Sequence, residues 1–295
     1  MRKLIIIALI SSLGMLYSCG GSKVLTQKNT EAQASFNGGE YQNALTSYEE
    51  IIGIYTTNDN SDACPVYTNA GISAYNVGDY KKAIKYLKLD EFSKFKTQQT
   101  LYYLGRAFNK VDNLSLEMLA LQDYINDYPQ GENFDEVQER LYFLYVESEN
   151  YEKALELWPI ISEGKESDIE LNESYFDIYN GLNNSDSCDA IAARLLKLDP
   201  SNETALFLKG KKYYRQAEDL YQTEMKAYNA KKTNKQYKKL LAALDVVTAD
   251  FKKSLGYFKK LYSAHPKPEY ANYLSHIYNR LSDKKKSEYY KKLAN

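Results

Sequence analysis

Side chains able to hold a metal or move a proton near neutral pH are few in this chain. Its only histidines are His265 and His276, and its three cysteines, Cys19, Cys64 and Cys188, form no Cys-x-x-Cys pair. A zinc site needs about four nitrogen or sulfur ligands at short spacing, so this set makes none. Neither a Gly-rich phosphate loop nor a Gly-x-Ser-x-Gly turn is present. Asp and Glu number 39, but they fall on helix faces at surface spacing, where solvation accounts for them. We expect no catalytic residue, no metal and no cofactor, and hence no enzyme.

Cys19 has a more telling context. Arg2 and Lys3 precede an apolar run from Leu4 to about Met15, shorter than the roughly 20 residues that span a bilayer. That is the form of a signal peptide. Next comes Leu16-Tyr17-Ser18-Cys19, which resembles the lipobox of bacterial lipoproteins. The resemblance implies that residues 1–18 are removed and that Cys19 is acylated. Two or more acyl chains anchor stably where one is marginal. Gly20 stands where an Asp would favour inner-membrane retention, and no acidic export run follows. By that resemblance the protein is expected at the outer membrane, lipid-anchored and facing the periplasm. Residues 19–30 then hold the lipidated cysteine and a flexible tether.

The rest of the chain reads as paired helices. Proline is scarce at 6 residues and glycine at 14, which argues against a loop-rich all-β protein. In "GISAYNVGDYKKAIKYLKL", Gly71 to Leu89, two short helical stretches flank a Gly-Asp step. The second stretch recurs, with its small position at Ala44, Ala83, Glu117, Ala154, Cys188, Ser254 and Ser287. Four residues later come Tyr48, Leu87, Leu121, Trp158, Ala192 and Phe258; twelve later, Pro129, Pro200 and Pro266 end helices. Gly71 and Gly105 lie twelve residues before it, where two helices must approach closely. A period near 34 with this order of Gly, aromatic, Ala and Pro resembles the tetratricopeptide repeat. The resemblance implies an all-α, right-handed superhelical solenoid of about seven helix pairs. Such pairs cannot bury their apolar faces alone and share a core by stacking. On this pattern Glu117 breaks the third repeat, Pro159 shortens a helix, and Trp158 and Cys188 occupy core positions. Cys64 and Cys188 lie about three repeats apart and are expected unpaired.

Repeats one to five occupy residues 31–202, an extended hairpin 203–266, and a degenerate last repeat 267–295. The sixth spacing, Cys188 to Ser254, is nearly twice the period. It predicts a long helical hairpin starting near Glu203, broken around Ala230–Asn234 with Thr233 as a cap. Its tip, "KKTNKQYKK" (Lys231–Lys239), is basic. Residues 201–295 hold 21 Lys and Arg against 9 Asp and Glu, whereas residues 20–200 hold 15 against 30. Most of this is the solvated outer face of long helices. The sharper reading is that residues 231–260 meet an acidic partner or anionic head groups.

In the third repeat, Leu101, Leu104, Gly105 and Phe108 make the inward stripe, leaving Tyr102, Arg106 and Asn109 on the neighbouring one. In the family resembled, that neighbouring stripe lines a concave surface that binds extended peptides or partner helices. Tyr75, Tyr102, Arg106, Asn109, Lys110, Lys211 and Tyr214 are therefore the expected partner-binding residues. With 29 tyrosines in the chain, such a surface suits a protein ligand. The implied function is a non-catalytic scaffold that binds another envelope protein or peptide segment, with the membrane reached through the N-terminal lipid and no nucleic acid involved. Two rival readings stay open. One is a subunit like the repeat-containing lipoprotein of the outer-membrane β-barrel assembly machine. The other is a glycan-binding lipoprotein of the SusD-like kind.

Overall fold

The computed structural model describes residues 23–295, and every described element is helical. The lipobox and Cys19 lie outside the described residues. Residues 23–37 form α1. It is followed by α2 (Tyr41–Thr57), a short 3-10 turn (Ser61–Ala63), α3 (Tyr67–Asn76), α4 (Tyr80–Glu91), α5 (Gln98–Asn109) and α6 (Leu114–Asp127). Then come α7 (Phe134–Glu147), α8 (Tyr151–Ile161), α9 (Ile169–Gly181) and α10 (Ser185–Leu198). The long pair α11 (Glu203–Ala230) and α12 (Asn234–Ala264) precedes α13 (Pro268–Arg280) and α14 (Lys284–Leu293). The chain divides into two compact units, Met1–Leu144 and Tyr145–Asn295, with the division falling inside α7.

One expectation fails at the start. Residues 23–30 are helix, not tether. Leu25 packs on the N-terminal core beside the fully buried Ala32, so this stretch has an apolar stripe to bury, and burial sets helix against flexible chain.

The repeat register is confirmed by burial. All seven small positions, Ala44, Ala83, Glu117, Ala154, Cys188, Ser254 and Ser287, are buried. Within the N-terminal unit a Cβ added to Gly71 would sit 2.5 Å from Leu87, and one added to Gly105 would sit 2.5 Å from Leu121. Glycine is what lets those helices touch. Trp158 departs from the pattern: it is half-buried and stacks flat on Tyr175 with ring centroids 3.9 Å apart. Helix α8 runs through Pro159 and ends two residues later, at Ile161; the missing N–H leaves the carbonyl four residues earlier without its helical partner.

A second periodic feature was not visible in residue types. The tight turn within a helix pair holds one residue in the left-handed region: Gly39, Gly78, Asp112, Glu149, Asn183 and Ser282. Each lies five positions before its small residue. Only two are glycines, because Asp and Asn tolerate this region and a short turn can impose it elsewhere. The residue that follows begins the next helix. Asp79, Asn113, Asn184 and Asp283 cap it by accepting from the backbone N–H three residues on.

The sixth pair has no such turn. Its helices of 28 and 31 residues are joined by Lys231–Thr233, and the Thr233 side chain accepts from the Gln236 N–H. At 1.5 Å per residue each arm is ~40 Å long. The inner half is packed: Phe258, fully buried, fills the space in front of Gly210 and stacks on Tyr273 at 4.4 Å. From α13, Arg280 pairs with Glu218 and lies 4.4 Å over the Tyr221 ring, bracing α11.

Candidate functional site

In the N-terminal unit, α3, α5, α6 and α7 surround an open cavity of about 540 Å³. Tyr75, Tyr102, Arg106, Asn109 and Lys110 all line it, so five of the seven expected groove residues converge. Helix spacing explains this: Tyr102, Arg106 and Asn109 recur at i, i+4 and i+7 along α5.

Arg106 is the centre of the site. Its guanidinium carbon lies 5.3 Å from the ring centroids of Tyr75 and Tyr102 and 6.0 Å from that of Tyr103. The rings stand edge-to-face, Tyr75 to Tyr103 and Tyr102 to Tyr103, each at 5.4 Å. Arg106 donates to the Tyr102 hydroxyl at 3.1 Å, and that hydroxyl donates to the Glu136 carboxylate at 2.9 Å. Burial, and then the bond to Glu136, push the Tyr102 hydroxyl up to about 12. A cation on three aromatic faces is held in place while part of it stays exposed.

The tyrosine itself is not the open surface residue expected from its stripe. Only 6% of Tyr102 is exposed, so it supports Arg106 from below. Thr68 and Ile72, on the matching stripe of α3, are buried as well. Thr68 and Thr100 both donate to Asp90, whose carboxylate is buried. Arg106, Asn109 and Lys110 are the exposed members.

Glu117, which breaks the sequence pattern, turns out to organise the cavity wall. It is buried, and Arg140 donates to its two oxygens from Nε at 2.7 Å and Nη2 at 2.9 Å. Asn109 donates to it at 3.2 Å. A fork-to-fork pair of this geometry lets a carboxylate occupy an alanine position. The third repeat is thus well packed, and Asn109 is partly committed to the wall. A Glu-to-Arg spacing of 23 residues has no local signature, which is why sequence reasoning saw Glu117 only as a break in the repeat and missed Glu136 and Arg140.

The two remaining candidates belong to the C-terminal unit. Lys211 lies 5.2 Å over the Phe207 ring and lines a separate cavity of about 480 Å³ with Asn180, Asn183, Asp189, Lys212 and Arg215. There Asp189 receives Lys209 at 3.0 Å and also Lys212. Tyr214 is a correction: it does not line that cavity. Its ring packs against Phe251 and Tyr273, and its hydroxyl meets His276 Nδ1 at 3.5 Å.

Among the described residues, no group of His, Cys, Asp and Glu is arranged to hold a metal ion. Cys64 and Cys188 are buried free thiols, and burial pushes both up, so neither carries thiolate character at neutral pH. No helix among the described residues is long and apolar enough to cross a membrane.

Solved structures share this architecture. The C-terminal part of a tetratricopeptide-repeat protein from Cytophaga hutchinsonii superposes with TM-score 0.51 at 14% identity, over 90% of this chain and 93% of its own. A candidate protein-binding protein from Bacteroides ovatus matches with TM-score 0.50 at 16% identity, over 63% of this chain and 99% of its own. The fold is that of tetratricopeptide-repeat proteins. The chain matches no protein-family model and no curated protein sequence.

Proposed function

We propose that the chain is a non-catalytic scaffold that holds a protein or peptide segment in the N-terminal cavity and is tied to the outer membrane through Cys19, facing the periplasm. The observation that carries the binding reading is the exposed Arg106, fixed on three tyrosine faces at the edge of a cavity of about 540 Å³ with Lys110 beside it. Preorganised Arg and Tyr are the side chains that most often dominate interface energy. The Bacteroides ovatus relative of this fold is described as a candidate protein-binding protein, in keeping with that use. The anchor reading rests on Leu16-Tyr17-Ser18-Cys19 after its apolar run.

The binding test is recovery of a partner from solubilised envelope by the full chain, compared with Arg106→Ala/Lys110→Ala. Both residues are exposed, so the double variant should stay folded, its melt lowered only by the lost tyrosine contacts of Arg106, worth about 1 kcal/mol, while recovery falls about tenfold or more, equivalent to ~1.4 kcal/mol. Wild-type recovery by a folded double variant would leave the groove as bare surface. The anchor is tested apart from this. Cys19→Ala should lose acylation and leave the outer-membrane fraction, and an acylated, correctly fractionating Cys19→Ala chain sinks the lipoprotein reading.

A further inference from the structure

Five lysines of the C-terminal unit, Lys209, Lys212, Lys253, Lys267 and Lys286, each pair with a carboxylate. What sets the end of the long hairpin apart is a run of lysines with no carboxylate among them. From Met225 to Leu244 the chain carries Lys226, Lys231, Lys232, Lys235, Lys238 and Lys239 and no Asp or Glu. All six are exposed, and among the described residues none of them forms an ion pair. The carboxylate just before this stretch, Glu224, is occupied across the hairpin by Gln236 at 3.2 Å.

Apolar side chains stand among these charges. Tyr237 is 48% exposed and Leu241 45% exposed, and they sit one helical turn apart on α12. The Tyr237 ring is steadied by Tyr228, with centroids 5.8 Å apart, so the end of the hairpin is an ordered surface. We propose that this end rests on an anionic lipid surface, with the six lysines over the headgroups and Tyr237 and Leu241 at the polar–apolar boundary.

The chemistry favours lipid over an acidic protein face. All six cations are lysines, compact charges on flexible stems that suit a diffuse layer of headgroups, whereas arginine is the cation that forks onto a defined carboxylate. Protein interfaces are depleted in lysine. An exposed tyrosine and leucine inside a polybasic helix end form the amphipathic pattern of interfacial segments. This contact is independent of the Cys19 anchor and of the groove.

The test uses the full chain reconstituted with phosphatidylcholine vesicles, with or without phosphatidylglycerol. Tyr237→Trp places a reporter at the hairpin end, and the parent chain, whose single tryptophan is Trp158, supplies the background. In phosphatidylglycerol vesicles the reporter emission should shift to the blue and be quenched by brominated acyl chains. Both effects should vanish in phosphatidylcholine alone and fade at high salt, where the Debye length shrinks from ~8 Å to ~3 Å. Adding Lys231→Glu, Lys232→Glu, Lys238→Glu and Lys239→Glu takes the stretch from +6 to −2 and should abolish them without altering the melt. Because the readout is local to residue 237, an acylated N-terminus cannot imitate it. Equal emission in the two lipids overturns the proposal. So does emission that responds to salt without lipid while sedimentation shows self-association, because the occupant is then a second copy.

Discussion

The two units solve the same repeat position in different chemical ways. In the N-terminal unit a carboxylate goes inside. Glu117 takes the small position of its helix and is neutralised by Arg140, while Asp90 sits buried among the hydroxyls of Thr68, Thr100 and Ser93. In the C-terminal unit that position holds Ala154, Cys188, Ser254 and Ser287; the Ser254 hydroxyl donates to the Gly210 carbonyl at 2.8 Å, and Ser275 of the facing helix donates to the Ser287 carbonyl at 2.9 Å. Around them lies an aromatic core of Phe207, Phe251, Phe258, Tyr270 and Tyr273. The position is commonly alanine, and it accepts a polar residue where the buried polar atoms find partners, either in a distant ion pair or in a nearby carbonyl.

The largest effect should come from the aromatic core. Phe258→Ala empties the space in front of Gly210 and should cost ~3–5 kcal/mol, with hydrogen exchange rising first in peptides of residues 203–293. Equal early loss in residues 98–144 would break the distinction between the units. Glu117→Ala should cost ~2–3 kcal/mol, below a fully buried pair because the Arg140 side chain is 35% exposed. Adding Arg140→Met should recover part of that loss in denaturant titrations. A double variant no more stable than the single one would show that Arg140 matters for packing alone.

Ser254→Ala removes one neutral hydrogen bond and should cost ~1 kcal/mol, measured by the midpoint of thermal unfolding. A cost as large as that of Glu117→Ala would mean that hydroxyl and carboxylate solutions are equivalent. The smallest effect concerns pH. Burial acts to raise the Asp189 carboxyl, but donation from Lys212 and Lys209 outweighs it and holds the group below its usual range. Its folded value therefore lies below the unfolded one. The stabilisation is complete above about pH 4 and is lost as pH falls through the folded value. Asp189→Asn should flatten acid unfolding of the C-terminal unit in that window, and an unchanged acid limb would remove Asp189 from the account.

Much of the architecture was legible because it depends on local rules. The Thr233 cap, the start at Glu203 and the doubled sixth spacing follow from capping chemistry and helical period, and each stands where expected. The groove was legible in part: i, i+4 and i+7 spacing brought Tyr102, Arg106 and Asn109 to one cavity. Their exposure was not legible. Tyr102 is buried by α7, whose Glu136 comes 34 residues later, and Tyr214 is taken into the core by Phe251 and Tyr273. The expected tether at residues 23–30 failed for the same reason, since Leu25 has a core to meet.

The sequence by itself determined the helices, their pairing period, the long hairpin and the segregation of charge, because periodicity, caps and lysine runs act within a turn or two of chain. Only the tertiary structure decided which polar residues go inside and which cation stays open. Glu117 is tolerated because Arg140 arrives from another helix, and Arg106 is held outward because Tyr75, Tyr102 and Tyr103 from two helices meet beneath it. Whether burying a charge is costly or stabilising depends on its partner's position in space, and no local pattern encodes that.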